Sequence, residues 1–422
     1  MSLQKFCNNF NKEDLLMLPE STKNLLLQVS EILVNTYNSE KISKNRVNSI
    51  NKLRGQPLTD IKNLKAFYGL AYIIKNMLKS PIPRIWDNIY GVTNCILVNN
   101  TKYNIKVLFL NDTHNLDVCS QSKIRNRRAV SANDFIIEQL NTAECFMDLF
   151  LEIPYRYRGD NSPNIVGTYM RNLKDNLETC FDIDKLYCNY PNLRAHYIDT
   201  RIVDTLGQDL YFFLHNFIQK SWYDEDIYNG KNPYFPNFQN VSYWEKKENL
   251  KNIFRNKDTL TSTLENMIYT PSTYSGKKLK KQLDNIKDIY IREQIIKALK
   301  EWIYNPTDRN VNWKYMTWDY MINAMKTKNK SQIEDIYYSL FSYFGLIMDI
   351  YTLGRMFRDY RPVPNFYSGP AKNMIVYAGG QHNDRFLNFM VNYLKDTKII
   401  FSNELRINCP SIRELKQPVF VS

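Results

Sequence analysis

VLFLNDTH, residues 107–114, changes character at a single position: four apolar residues, then four polar ones. Val107-Leu108-Phe109-Leu110 is unbroken apolar, as in a strand buried on both faces, and Asn111-Asp112-Thr113-His114 is the polar segment expected where such a strand leaves the core. The arrangement recurs near the other end of the chain, where Met374–Ala378 (MIVYA) runs into Gly379-Gly380-Gln381-His382. In both places a histidine stands four residues past the last apolar one. An open α/β sheet binds its ligands outside the carboxyl ends of its strands. The two stretches therefore predict nearby strands, each aiming a histidine at the same edge.

Around this pair the pattern is readable. Cys95–Val98 and Ile105–Leu110 flank Asn99-Asn100-Thr101-Lys102, a hairpin signal. A helix is expected over Ala132–Thr142 with Ser131 as its N-cap. Phe146–Leu151 (FMDLFL) reads as a strand, Ile165–Phe181 as a helix, Ala195–Ile198 as a short strand and Val203–Gln219 as a helix. This alternation predicts an α/β fold, a mainly parallel sheet with helices on both faces. Residues 12–80 carry leucines at helical spacing, and Pro81 and Pro83 close that region. Residues 221–240 read as a surface loop and 243–360 as helix, ended sharply by Arg361-Pro362-Val363-Pro364. A helix near Asn383–Leu394 and a strand over Lys398–Phe401 come last. The expected organisation is an N-terminal helical region (1–85), a first part of the α/β core (86–242), a large helical insertion (243–365) and the last part of the core (366–422).

Hydrophobic residues at 44% and charged residues at 23% are the balance of a globular chain rather than a disordered one. The net charge of +13 attracts polyanions, and Lys123–Arg128 (KIRNRR) and Lys277–Lys281 (KKLKK) are the densest basic stretches. Acidic residues interleave elsewhere, so weak, nonspecific nucleic-acid binding is expected rather than a dedicated groove. The seven cysteines form no CxxC pair, which argues against a zinc ribbon and for mostly reduced, buried thiols in an intracellular protein. The chain opens without an apolar stretch of signal-peptide length, and Ile336–Phe357, its most lipid-like run, contains Asp349 and Arg355. A buried helix, a soluble chain and no membrane partner are the expectation.

Which polar residues stand directly after each apolar run? After Ile105–Leu110 come Asp112 and His114; after Phe146–Leu151 comes Glu152; beside Ala195–Ile198 lie His196, Asp199 and Arg201. After Met374–Ala378 come His382, Asp384 and Arg385. Three of the four histidines belong to this set, and only His215, on an apolar helical stretch, falls outside it. A single strand-end histidine is more often a loop residue than a functional one, and Asp199 with Arg201 could be a structural ion pair. Taken jointly, imidazole and carboxylate at equivalent positions are the chemistry of divalent-metal binding and of general acid–base catalysis.

These motifs resemble the erythromycin-esterase, TraB and Tiki superfamily, whose members carry two separated GxxH motifs and acidic residues in one α/β core. Asn111-Asp112-Thr113-His114 corresponds to the first motif, Gly379-Gly380-Gln381-His382 to the second, and Glu152 to the glutamate after the next strand. The resemblance covers about 93–220 and 370–402. It implies a hydrolase, metal-dependent as in the Tiki type or histidine-based as in the esterase type. This chain departs from the pattern at Asn111, where the family has Gly, and at Asp112, where it usually has Glu. YIDTR, DIYTLGRMF and IVYAGGQH together are also similar to proteins of large DNA viruses, which would place the chain in host cytoplasm or virion.

The resulting expectation is a hydrolase with His114, His382, Glu152 and Asp112 in one concave site, as catalytic groups or as ligands of a divalent ion (Zn, Mn or Co). Arg201, Arg385, His196 and Asp199 would bind substrate or the transition state. Two other readings stand beside it: an inactive structural or interaction protein, virion-associated in a large DNA virus, and a basic nucleic-acid-binding protein using KIRNRR and KKLKK.

Overall fold

In a computed structural model of the chain, the residues described are 15–42, 58–79, 84–112, 128–154, 168–177, 180, 190, 192–199, 260–270, 274–304, 316–327, 330–360, 370–403 and 409–420. Two units emerge, one built from Met1–Ile153, Arg158–Ile198 and Asp359–Ser422, the other from Pro154–Tyr157 and Asp199–Arg358. His114, Arg201, Val203–Gln219, His215, residues 221–240 and all of KIRNRR except Arg128 lie outside the described residues.

The first unit begins with α1 (Glu20–Ile42) and α2 (Leu58–Lys79), then β1 (Asn88–Tyr90), β2 (Val92–Asn100), β3 (Ile105–Asp112) and β4 (Ala129–Ser131). It continues through α3 (Ala132–Thr142), β5 (Met147–Pro154), α4 (Thr168–Asn176) and β6 (Leu193–Asp199). The second unit contains α5 (Leu260–Tyr269), α6 (Tyr274–Asp284), α7 (Ile289–Tyr304), α8 (Trp318–Thr327) and α9 (Lys330–Phe357). The chain then returns to the first unit with β7 (Asn373–Gly379), α10 (Gly380–Asn388), a π-helical turn (Phe389–Tyr393) and β8 (Thr397–Ser402).

Six strands form one sheet in the order β6-β5-β7-β3-β2-β8, and β1 and β4 form a separate parallel pair. The four runs expected to share a sheet, now β3, β5, β6 and β7, do so. The sheet is mixed, however, not mainly parallel. β7 runs parallel to both β3 and β5, whereas β2 is antiparallel to β3 and β8 antiparallel to β2. The physical reason is the hairpin: a four-residue turn at 101–104, with Asn104 at φ 50°, can only join antiparallel neighbours. That hairpin reverses β2 relative to the parallel centre, and β8, antiparallel to β2, runs in the direction of the central strands again.

Strand alternation sorts the sheet into two faces. Leu108, Leu110, Leu149, Leu151, Ile375 and Tyr377 share one buried cluster with Phe135, Ile136 and Leu140 of α3, Met170 and Leu173 of α4, and Phe420 of the C-terminal segment. Each such side chain contributes roughly 1.5–3 kcal/mol on leaving water. α3 begins as expected, with the Asp134 N–H donating to Ser131 Oγ at 3.0 Å. Its other end holds α2, because Asn76 Nδ2 donates to the carbonyls of Asn141 and Ala143. The opposite face of the sheet carries Asn111, Phe109, Glu152, Phe150, Asp148 and Val376, and α10 packs on β3 and β7.

Within the second unit α9 is the longest described helix, and it buries Asp349, Thr352 and Ser339 among its apolar residues. Among the described residues no helix is long and apolar enough to cross a membrane. The described cysteines are of two kinds. Cys95 and Cys145 are thiols, the latter pushed up to about 12 by burial, whereas Cys180 and Cys409 are disulfide-bonded. Disulfide formation depends on proximity in the fold, which sequence spacing alone does not reveal.

Candidate functional site

The parallel register delivers Glu152 to the place where β7 ends. Leu151 stands beside Tyr377, so the next residue, Glu152, comes level with Ala378 at the carboxyl edge, one residue before Gly379. Gly379 is the N-cap of α10 and has no side chain to cap with. Its backbone N–H instead donates to Glu152 Oε2 at 2.6 Å, so a carboxylate occupies the positive end of the helix. One turn into α10, His382 Nε2 lies 3.5 Å from Glu152 Oε1, with the two side chains 9% and 4% exposed. Burial weakens solvent screening and makes this pairing stronger than a surface one.

Gly379 has an ordinary extended backbone at φ −59° and ψ 150°, so no special conformation calls for glycine there. Close approach does. A Cβ would sit 3.3 Å from Glu152 Oε2 and 3.7 Å from His382 Cδ2, wedged between the two functional groups.

Beside this pair is a second, uncharged one. Asn111 at the end of β3 and Asn383 in α10 are each 1% exposed. Asn383 Nδ2 donates to the carbonyl of Leu110 (2.9 Å), the carbonyl of Ala378 (3.1 Å) and Asn111 Oδ1 (2.8 Å). The atom facing these three oxygens must be the amide nitrogen, one of whose two hydrogens is shared between two acceptors, so both amides are oriented by their neighbours. The Asn pair pins the start of α10 across β3 and β7. Neither residue type carries charge, so in the sequence Asn111 stands out only as a departure from glycine and Asn383 only as the start of a helix.

The other expected site residues are dispersed. Asp112 is turned away from Glu152: it pairs in register with Gly379, on the face of Tyr377, and its Oδ1 accepts from the Tyr377 hydroxyl at 3.3 Å. A one-residue step along a strand exchanges faces, which is why Asn111, not Asp112, comes to the Glu152 side. Arg385 is half-buried one turn beyond His382 on α10, and Asp199 closes β6, buried.

His196 is not at the edge with Glu152. Its ring stacks between Phe150 (4.4 Å between centroids) and Tyr360 (5.4 Å), and its Nε2–H donates to Asp148 Oδ1 at 2.7 Å. Arg194 clamps the same carboxylate through Nε to Oδ1 (2.5 Å) and Nη2 to Oδ2 (3.0 Å), its guanidinium 3.6 Å above the Tyr360 ring. Burial works to raise the Asp148 carboxyl, but the charge of Arg194 and the hydrogen bonds from His196 and Arg194 outweigh it and hold the group below its usual range. Asp148 lies four residues before Glu152, roughly 13 Å back along the strand. It makes His196 part of a buried ion-pair cluster rather than of the edge site. The signal was present in MDLFLE: residues 148, 150 and 152 share a face.

No family model, curated protein or solved structure matches the chain. The site stands on its own geometry. Among the described residues no group of three His, Cys, Asp or Glu side chains is arranged to hold a metal ion. His382 and Glu152 supply two donors, and Asp112 does not join them. A catalytic zinc site takes three protein ligands, so a metal-assisted form needs a donor from outside the described residues, where His114 lies.

Proposed function

We propose that the chain is a hydrolase in which His382, oriented by Glu152, activates water at the carboxyl edge of the β5–β7 strand pair. One observation carries this reading: a buried Glu–His pair whose carboxylate is locked by the Gly379 N–H at 2.6 Å. A carboxylate held on both sides cannot swing away, so the imidazole it faces keeps one tautomer. With Nε2–H directed at Glu152 the basic lone pair is on Nδ1, the atom that accepts the water proton. The resemblance to the GxxH hydrolases supports the same assignment for His382 and Glu152. A divalent ion (Zn, Mn or Co) remains compatible with the donor chemistry but is required by none of these steps.

The test is a hydrolysis screen of the purified chain on p-nitrophenyl acetate and on amide and phosphate-ester chromogens, with and without chelator and added Zn, Mn or Co. Wild-type turnover that falls at least about 10²-fold in His382→Ala, with the folded signal intact, is expected. Equal rates in the two proteins, or no turnover in any arm, would sink the hydrolase reading and leave that of an inactive interaction protein.

A further inference from the structure

We infer that β8 is a docking edge of the sheet, and that the strand it takes is β8 of a second copy of this chain, paired antiparallel about a two-fold axis. The inference does not depend on the hydrolase reading. β8 stands last in the sheet order, with β2 on one side and, among the described residues, no strand on the other. A strand so placed presents a row of backbone N–H and C=O groups, and what matches such a row is another extended strand.

The side chains agree with the backbone. Chains that stay single blunt an open edge with charges, proline or a covering element. TKIIFS, residues 397–402, has one charge, Lys398, and neither proline nor glycine. Ile399 and Ile400 are 48% and 56% exposed, and Val391, in the π-helical turn that packs against β8, is exposed as well. Six residues of high β-propensity and low charge are the composition of strands that pair between chains. A polyanion would need a cluster of cations, and the strand offers it one lysine.

The register says which strand fits. Val98 pairs with Ile399 and Leu97 with Phe401, so Ile400 is an extra residue, a bulge to which β2 gives no partner. Because β2 alternates, Thr397, Ile399 and Ser402 lie on one face, opposite Asn100, Val98 and Ile96, and Lys398 and Phe401 lie on the other. The inserted residue thus makes the order of faces the same from either end of the strand. A two-fold axis between Ile399 and Ile400 then sets Thr397 on the second copy's Ser402 and Lys398 on its Phe401, each pair on one face. Ile399 meets Ile400 at the centre. In an unbulged strand of six residues the same axis would pair residues of opposite faces. Antiparallel pairing also lays each lysine on an aromatic ring, whereas parallel, in-register pairing would stack lysine on lysine. One strand pair is a small interface, under about 1,200 Å², so the dimer should be weak and dissociate on dilution.

Sedimentation velocity on the full chain, from about 1 μM up to its solubility limit, tests this without any variant. Sedimentation should shift from monomer to dimer as concentration rises, and a wild type that stays monomeric throughout overturns the inference. Ile400→Glu, at an exposed position, should be monomeric with an unchanged Tm. Adding Ile399→Lys to it should restore the dimer, because each lysine then faces a glutamate across the axis. Ile289→Glu, at an exposed isoleucine of α7, should dimerise as wild type does. A dimer that survives Ile400→Glu, or that Ile289→Glu also abolishes, overturns the edge as the interface. A double variant as monomeric as Ile400→Glu overturns the antiparallel register. A monomeric wild type that binds an extended hexapeptide of alternating threonine and valine gives the edge to a foreign strand and overturns the second copy.

Discussion

Glu152 and Gly379 meet across two parallel strands: the carboxylate at the end of β5 accepts the backbone N–H at the end of β7 at 2.6 Å. This one contact ties sheet to helix and side chain to backbone. It also means that the absent side chain of residue 379 is part of the site. Gly379→Ala would put a Cβ 3.3 Å from Glu152 Oε2, tighter than carboxylate and backbone normally tolerate. Because φ at 379 suits alanine, the substitution should cost little stability and much activity, about 10-fold in kcat/KM, as expected when a catalytic pair is misplaced by a fraction of an ångström. Thermal unfolding beside kinetics checks this: a large loss of Tm with normal turnover would contradict it.

Two substitutions of Glu152 separate its roles. Glu152→Gln keeps an oxygen for Gly379 N–H but removes the charge facing His382. Glu152→Ala removes both and leaves the helix start without its partner. The Gln variant should lose about 10²-fold in rate while unfolding near the wild-type temperature. The Ala variant should lose the rate and about 1 kcal/mol of stability besides. Equal stability losses in both would assign Glu152 to the fold alone.

How much of this was written in the sequence depends on which interaction decides. Apolar runs announced β3, β5, β6 and β7 because a strand buried on both faces must be apolar along its length. Ser131 announced the start of α3 because its hydroxyl is what the exposed N–H groups of a first turn require. Direction and face were harder. β8 is antiparallel because of where the chain returns to the sheet after the π-helical turn, which no local pattern encodes. Asp112 was preferred to Asn111 because a carboxylate carries more chemistry than an amide, yet one residue of register decided between them. Asp148 was hidden inside an apolar run, its partners 46 and 48 residues away.

In the second unit, α6 and α9 approach closely at one point. A Cβ on Gly354 would meet Gln282 Cβ at 2.7 Å, and Gln282 Oε1 accepts from Arg358 Nη1 at 2.6 Å. The obstructing atom is the root of a side chain, not its mobile tip, so the helices must separate to admit a methyl group. Gly354→Ala should therefore destabilise by about 1–3 kcal/mol, against the usual gain from Gly to Ala in a helix. Urea titration reads it directly, and a stabilised variant would show that the helices are not so close.

The KKLKK stretch forms part of α6, whose Leu279 and Leu283 are buried while Lys277, Lys278 and Lys281 are exposed and Lys280 pairs with Asp284 at 2.9 Å. It is the solvated face of an amphipathic helix. Neutralising all four lysines should reduce the salt slope of duplex DNA binding by no more than about 3, one per exposed lysine in contact with phosphate. Fluorescence anisotropy across salt concentrations measures the slope. Tight binding that survives both high salt and these substitutions would require a different nucleic-acid surface.

Asp148 sets the acid limit of the first unit. Its folded-state carboxyl is held below its ordinary value because Arg194 and His196 bind the ionised form more strongly than burial opposes it. A carboxyl depressed in the folded state stabilises the fold at every pH above its unfolded value, about 3.9. Between the two values the unfolded chain binds the extra proton, so stability declines as pH falls and the contribution is gone below the folded value. Asp148→Asn removes the charge and leaves the Arg194 and His196 side chains, 16% and 1% exposed, without their shared anion. Breaking a buried pair from one side costs about 3 kcal/mol. The variant should accordingly be less stable than wild type at neutral pH, and the difference should shrink as pH is lowered through the acid range. Guanidinium unfolding from pH 7 to pH 3 tests both parts. A difference that stays constant with pH would mean that Asp148 acts through packing and not through its charge.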